Sequence, residues 1–412
     1  MNKNKRWFIV GICSLLFLVS MFYRVSNAVI SPQLIDEFGL SSDELGLLTA
    51  SFFYAFAFFQ IPVGLLLDRF GARTIMTTFS VMGGIGAMVF ARSTGINGLI
   101  CGRILLGIGM SCNLMGSLKL FTEWFRPSEF ATLSGFILAV GTLGNMMATS
   151  PLVLLIDSIG WRASFSIIGM ITILLAVCFF TIVRDNPEGL KSNLHLTKIK
   201  KVQAPLFYSI KTVFSNPNYW AISGGTLIRY GTYAAVQALW AGPFLMTILH
   251  ISPIATGNLL FILNIGFVAG SPIGGFLSDR IICSRKKIII AGLILMALSL
   301  LALALYEHTH LVWLGLIFFF MGFGSSFCQI MYAHIKELMP SHMAGTAMTG
   351  VNFFTMMGAG IFTHGFGKIL DLQLFAKLPP GMGYRMAFFM CFIGLLTAVA
   401  LYIKTKDAFV QK

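Results

Sequence analysis

Three arginines, Arg24, Arg103 and Arg229, stand inside long apolar stretches, and the fifteen acidic residues all fall in the connections or at the edges of such stretches. An arginine at the centre of a membrane helix costs about 2.5–3.5 kcal/mol on insertion scales. Three of them without an acidic partner need an offset from water, backbone carbonyls or a bound anion. The planar guanidinium fork grips a carboxylate or phosphate through two parallel hydrogen bonds. A cavity lined this way reads as an anion-binding site.

The neighbours of each arginine sharpen that reading. Tyr23 and Asn27 give Arg24 a polar face; the competing role is snorkelling toward headgroups. Tyr233, Gln237 and Trp240 follow Arg229 at i+4, i+8 and i+11, on one helical stripe that lines either a cavity or a helix seam. Arg103 either meets substrate or bonds the carbonyls of a neighbouring helix. Lys119, near the end of its stretch, is expected to snorkel. The amides Asn145, Asn264, Gln329 and Asn352 either line the cavity or join helices. His364 is the intramembrane group able to titrate near neutral pH, with a structural role as the alternative.

A second constellation ends one apolar stretch: Gly64, Asp68, Arg69, Gly71 and Arg73 within Gln60-Ile-Pro-Val-Gly-Leu-Leu-Leu-Asp-Arg-Phe-Gly-Ala-Arg73. Gly275, Asp279 and Arg280 repeat it, Gly64 and Asp68 both shifting by 211 residues. A carboxylate at a helix end can pair with a basic residue or a helix N-terminus of the other half, and Gly64 is expected to let a helix approach closely. Such a contact would form in one conformation only and so act as a gate. Other internal matches agree: Trp7 with Trp220, Glu123 to Pro127 with Glu337 to Pro340, and Gly160-Trp161-Arg162 with Gly383-Tyr384-Arg385.

The elements that must position these residues follow from composition. Hydrophobic residues make up 57% of the 412 and charged residues 11%, with mean hydropathy +0.83. That charge is too sparse to cover a soluble globule, for which about 25% is usual. Twelve apolar runs can each cross a bilayer: about 7–27, 44–67, 74–92, 97–120, 129–152, 161–183, 217–242, 256–277, 288–306, 311–334, 343–366 and 384–403; they are called spans 1 to 12 below. With both termini cytoplasmic, the opposite side holds only Arg92, Arg162, Lys368, Lys377 and Arg385 of the loop Lys and Arg, as the positive-inside rule expects. The net charge of +14 is thereby explained by topology and implies no nucleic acid. Basic Met1 to Arg6 before an apolar run imitates a signal peptide, but with eleven further spans it reads as an uncleaved first helix. Five tryptophans at span ends, 7, 124, 161, 220 and 313, are expected as interfacial anchors.

The expected architecture is therefore an all-α integral membrane protein: residues 1–183 as one six-helix bundle, 184–215 as a basic cytoplasmic linker, and 216–412 as a second bundle. The seven cysteines show no paired spacing, so neither disulfide nor metal is expected.

This two-times-six plan with Gly-Leu-Leu-Leu-Asp-Arg-Phe-Gly-Ala-Arg after span 2 resembles the major facilitator superfamily. The resemblance implies two bundles about a central cavity, related by pseudo-twofold symmetry and rocking to open it to each side in turn. Phe22-Tyr23-Arg24-Val25-Ser26-Asn27, with Pro32, Phe38 to Ser41 and Gly46, is similar to the anion:cation symporters and, less closely, the organophosphate:phosphate antiporters. Arg24 matches their substrate-binding arginine, and Arg103 begins the Arg-Ile-Leu-Leu-Gly-Ile-Gly that resembles the superfamily's arginine-centred motif in span 4. Tyr23 and Met110 stand where the symporters carry acids, which puts proton symport in doubt and favours facilitated transport or exchange. The span 2 entry also resembles amino-acid permeases of bacteria living inside host cells. A multidrug exporter is disfavoured, with Asn145 where such antiporters place proline. No HExxH, GxSxG or nucleotide-binding loop occurs, so an enzyme or ATP-driven pump is not expected; a non-transporting receptor is the remaining alternative. The expected function is transport of a small organic anion, or a zwitterion held by its carboxylate, across a bacterial inner membrane by a monomer without cofactors.

Overall fold

The computed structural model describes residues 3–185, 212–305, 309–340, 343–375, 379 and 381–407, and the regular elements within them are all helical. Residues 186–211, most of the expected linker, lie outside the described residues. Helices suit the surroundings, because a backbone in hydrocarbon must satisfy its polar groups within its own segment. Large apolar side chains such as Leu65, Phe136 and Leu154 are exposed.

In the first half, span 1 is Lys3–Val25 continued by Asn27–Phe38, well past its expected end, and Ser26 at the break turns its hydroxyl to the Tyr23 carbonyl, 3.3 Å away. Spans 2 and 3 form one helical run, Ser42–Arg92, broken at Gly71. Gly71 has φ 81 and ψ 158, a region open essentially to glycine, and a Cβ there would stand 2.5 Å from the Asp185 carboxylate. That carboxylate accepts the Arg73 N–H at 2.9 Å, so the end of span 6 closes the turn. Span 4 is Ile96–Met110 and Asn113–Trp124. Span 5 is Pro127–Met147, and Ser150–Ile182 completes it and forms span 6 after a second break at Gly160, φ 78. Beyond that break, Trp161 and Arg162 both bond the Glu37 carboxylate, at 3.0 and 2.5 Å, tying span 6 to span 1.

The second half is less regular. Span 7, Pro217–Ala235, continues through two π-helical turns, Val236–Trp240 and Phe244–Ile248. Span 8, Pro253–Phe276, ends in a third, Leu277–Ile281, which carries Asp279. Spans 9, 11 and 12 are Arg285–Leu305, Ala344–Phe375 and Met382–Ile403. Span 10 is Leu311–Phe327 and Met331–Leu338, joined by a short 3-10 turn. Span 11 outruns its expected end at 366, which places Asp371 on the helix.

Two of the expected tryptophan anchors are corrected. Trp7, Trp220 and Trp313 are exposed, but Trp124 and Trp161 are buried, their indole N–H groups donating to the Arg184 carbonyl and to Glu37. A buried indole must find an acceptor, and helix ends supply these two.

Spans 2 and 11 run antiparallel where the halves meet. The Ser42 and Asp43 N–H groups bond Asp371, Gly46 lies against the Thr363 carbonyl and Gly360 against the Tyr54 ring. Phe58 packs on Phe353, and Gln60 bonds Asn352. Past Gln60, Gly64 has no neighbour within 4 Å of where a Cβ would stand, and neither has Gly345. The apolar core follows the same division. One buried cluster runs from the Asp371 end of the first half into the second. A separate one, from Ile9 to Val183, fills the Asp68 end of the first half alone. The halves are joined at the Asp371 end and part toward the Asp68 end.

Candidate functional site

Arg24 occupies the last turn before the break in span 1 and is buried, 7% exposed. Its Nη1 donates to the Tyr230 hydroxyl of span 7 at 3.1 Å, and its guanidinium lies 5.0 Å from the centre of the Phe56 ring. Arg229, one residue before Tyr230, is 2% exposed and donates through Nη2 to the Ser325 carbonyl of span 10 at 2.6 Å. Its guanidinium lies 5.8 Å from the centre of the Tyr230 ring, so both arginines meet Tyr230. Among the described residues neither has an acidic partner, and the Nε of each is buried without a hydrogen bond. An uncompensated buried cation is costly. Two of them, one from each half, meeting at Tyr230 make a place where a bound anion would be stabilised.

A polar chain adjoins them. The Tyr332 hydroxyl donates to Asn352 Oδ1 at 3.1 Å, Asn352 Nδ2 to Gln60 Oε1 at 2.9 Å, and Gln60 Nε2 to the Ser111 carbonyl at 2.9 Å. It crosses from one half to the other. Gln329 is exposed on the face of span 10 shared with Ser325 and Tyr332.

Other residues of the expected site lie apart. The Tyr23 hydroxyl meets Thr172 at 3.1 Å, turned into the first half, because neighbours on a helix diverge by about 100°. Asn27 donates to Thr49 at 2.9 Å. Arg103 is wholly buried in the first half; Nη1 donates to the Tyr23 carbonyl at 2.9 Å and the guanidinium stands 4.9 Å from the Phe52 ring centre, while Nε and Nη2 find no partner. Gln237 donates to Asn264 at 2.9 Å, joining spans 7 and 8. Trp240 stacks on Phe366 at 5.3 Å and donates to the Thr363 carbonyl. Tyr233 packs against Tyr230 and Phe267. Asn145 is half-buried with its Oδ1 unpartnered. His364 lies in the seam, its Nε2 2.8 Å from Asp43.

In this state the charged repeats make no cross-half ion pair among the described residues. Asp68 pairs in its own half with Lys119 at 2.6 Å, and Lys119, expected to snorkel, also donates to the Leu67 carbonyl. Asp279 likewise pairs with Arg285, which also holds Glu337 at 2.9 Å, all in the second half. Gly64, expected at a close helix approach, faces open space, as does Gly275. The halves are parted at this end, so in-half partners replace the cross-half ones. Arg73 Nε donates to the Phe180 carbonyl at 2.8 Å; Arg69 lies over its neighbour Phe70. For Arg280 the described contacts name no partner, and its residue is exposed.

Gln60, Tyr230 and Tyr332 were not among the expected site residues. Each is a polar group inside an apolar run, which is the signal that could have found them.

The Major Facilitator Superfamily model matches residues 12–241 and again residues 222–410. The chain belongs to the Major Facilitator Superfamily. Its membership makes it a transporter-family protein and not an enzyme. Among curated proteins of this superfamily, it is 25% identical to the "Probable L-galactonate transporter" of Escherichia coli K12, over 92% of this chain and 84% of that one. It is 22% identical to a "Probable hexose phosphate transport protein" of Chlamydia pneumoniae, over 90% of this chain and 87% of that one. Among solved structures, a bacterial homologue of the human lysosomal transporter Spinster, in an inward-facing and unoccupied conformation, superposes with TM-score 0.78 at 19% identity, covering 98% of this chain and 97% of that one.

Proposed function

We propose that this chain carries a small organic anion across the membrane by alternating access, gripping its carboxylate or phosphate between Arg24 and Arg229. The observation that carries the reading is the convergence of those two buried arginines, one from each half, on Tyr230, with no acidic partner among the described residues. The two relatives fit it. They are named for transport of a sugar acid and of a sugar phosphate, and a guanidinium fork serves either anion. Both named substrates also bear hydroxyls, which Gln60, Gln329, Tyr332 and Asn352 are chemically suited to bind. Tyr23, Asn27, Arg103, Gln237, Asn264 and Trp240 then hold the helices that shape the cavity.

The remaining assignments belong to the same proposal. Residues 1–183 and 216–412 form the two moving halves, with 184–215 between them. The Asp68 end is cytoplasmic, where the loop Lys and Arg concentrate, so the structure corresponds to a state open to the inside. The protein is a monomer of a bacterial inner membrane, needing a lipid bilayer and no nucleic acid. Gly64, Asp68, Arg69, Gly71 and Arg73, with Gly275, Asp279 and Arg280, form the gate at the cytoplasmic end.

A thermal-shift screen of the purified protein tests the reading, since a ligand of the folded state raises its stability. Gluconate, galactonate or glucose 6-phosphate is expected to raise the midpoint, and Arg24→Ala and Arg229→Ala to abolish the rise. Stabilisation by amino acids or dipeptides alone would transfer the substrate class, and anions that bind Arg229→Ala unchanged would remove the site.

A further inference from the structure

The first turn of span 2 has its backbone donors satisfied from two sources. The capping box is internal: Ser41 Oγ accepts the Glu44 N–H at 3.2 Å, and the Glu44 carboxylate accepts the Ser41 N–H at 2.9 Å. That leaves the Ser42 and Asp43 N–H groups, which a helix beginning cannot pair by itself. Asp371 takes both, Oδ1 from Ser42 at 3.0 Å and Oδ2 from Asp43 at 3.1 Å. Asp371 belongs to span 11, in the other half.

We propose that Asp371 is the latch of this end of the transporter, capping span 2 from the opposite half only while the two halves are closed there. The inference rests on the alternating-access reading above. A carboxylate at the positive end of a helix, one oxygen on each of two N–H groups, makes charge-assisted bonds. Parting the halves removes both at once and leaves only water for the two donors. The contact is cross-half throughout: His364 Nε2 of span 11 lies 2.8 Å from the Asp43 carboxylate of span 2, and the Gly367 backbone lies directly against the Ser42 carbonyl.

Among the described residues the other end has no counterpart. Asp68 is paired with Lys119, and Asp279 with Arg285, inside their own halves. These carboxylates keep their partners while that end is parted, whereas span 2 loses two cap bonds when the Asp371 end opens. That asymmetry favours the state closed at Asp371.

Thiol labelling tests the latch in nanodiscs, where both ends meet solvent and no orientation need be assumed. All seven native cysteines are first replaced, and a single reporter is then introduced. Ala50 is wholly buried and lies four residues from Gly46 and four from Tyr54, so it shares their face toward span 11. Gly64 stands in open space at the other end. With a bulky polar maleimide, the Ala50→Cys reporter is expected to label slowly and the Gly64→Cys reporter quickly. Asp371→Ala should raise the first rate at least tenfold and lower the second. An unchanged rate at the Ala50→Cys reporter overturns the latch. A rise at both reporters also overturns it, because that is loosening and not a change of state. If Asp371→Ala does not yield folded protein, Asp371→Asn, which keeps one acceptor, should raise the Ala50→Cys rate about threefold, and no rise overturns the proposal. The anion thermal shift on the unaltered protein is independent: its failure sinks the substrate reading, while the labelling result decides the latch.

Discussion

Gln60 of span 2 and Asn352 of span 11 share a hydrogen bond of 2.9 Å, and past it the two spans separate. Gln60 lies 18 residues beyond Ser42, about 27 Å along the helix at 1.5 Å per residue. The seam is therefore long, running from a carboxylate cap at one end to an amide bridge near the other. The bridge continues to the Tyr332 hydroxyl of span 10, which donates to Asn352.

Loss of either cross-half arginine should weaken anion binding. A hydrogen bond to a charged group is worth about 1.5–3 kcal/mol, so Arg24→Ala and Arg229→Ala should each raise Kd by about 10- to 100-fold. Arg→Lys should retain part of the affinity, since the charge stays but the fork is lost. Calorimetric titration with gluconate or glucose 6-phosphate measures this, and unchanged affinity in Arg229→Ala would place the site elsewhere. Arg103→Met, which removes a side chain bonded within the first half, should instead keep the affinity.

Asp68→Asn should slow transport while leaving insertion and ligand binding largely intact. The side chain is 79% exposed in its pair with Lys119, and exposed pairs contribute only about 0.2–1 kcal/mol. A large loss of stability is therefore not expected in this state. Exchange rates in proteoliposomes are the readout, and undiminished turnover would end the gating role.

The two glycines of the span 2 repeat should separate cleanly. Gly71→Ala should destabilise by about 1–3 kcal/mol, because φ 81 is strained for alanine and Asp185 already occupies the space of a Cβ. Gly64→Ala meets nothing in this state; it should leave the melting temperature unchanged and reduce turnover. Paired thermal unfolding and exchange assays check both, and equal melting shifts would refute the distinction.

Transport should proceed as exchange or facilitated movement and not as proton symport. Tyr23 and Met110 hold the two positions where the symporters carry acids, and neither side chain is a carboxylic acid able to load and release a proton near neutral pH. His364 is engaged with Asp43 in the seam and does not contact either cavity arginine. Counterflow should occur without a pH gradient, using a substrate of constant charge over the range tested. Accumulation driven by an inward proton gradient and abolished by an uncoupler would overturn this. If it also vanished in His364→Gln while exchange survived, the histidine would be the carrier.

Much of this protein was determined by the sequence. The apolar runs required membrane helices, because charge at 11% cannot cover a water-facing surface. The repeat of Gly64 and Asp68 in Gly275 and Asp279 marked two related halves, and the arginines Arg24 and Arg229 stood out because buried cations demand an explanation. Tertiary structure decided which polar groups meet. Tyr23 and Arg24 are neighbours in the chain but point into different surroundings, and one-dimensional spacing cannot tell a cavity-facing residue from one facing its own bundle. The cross-half partners Tyr230, Gln60 and Asp371 are separated from Arg24, Asn352 and Ser42 by hundreds of residues, so no local pattern announces them. Conformation decided the rest: Asp68 finds Lys119, and Gly64 finds nothing, because pairing at that end depends on whether the halves are together, and a sequence is the same in both states.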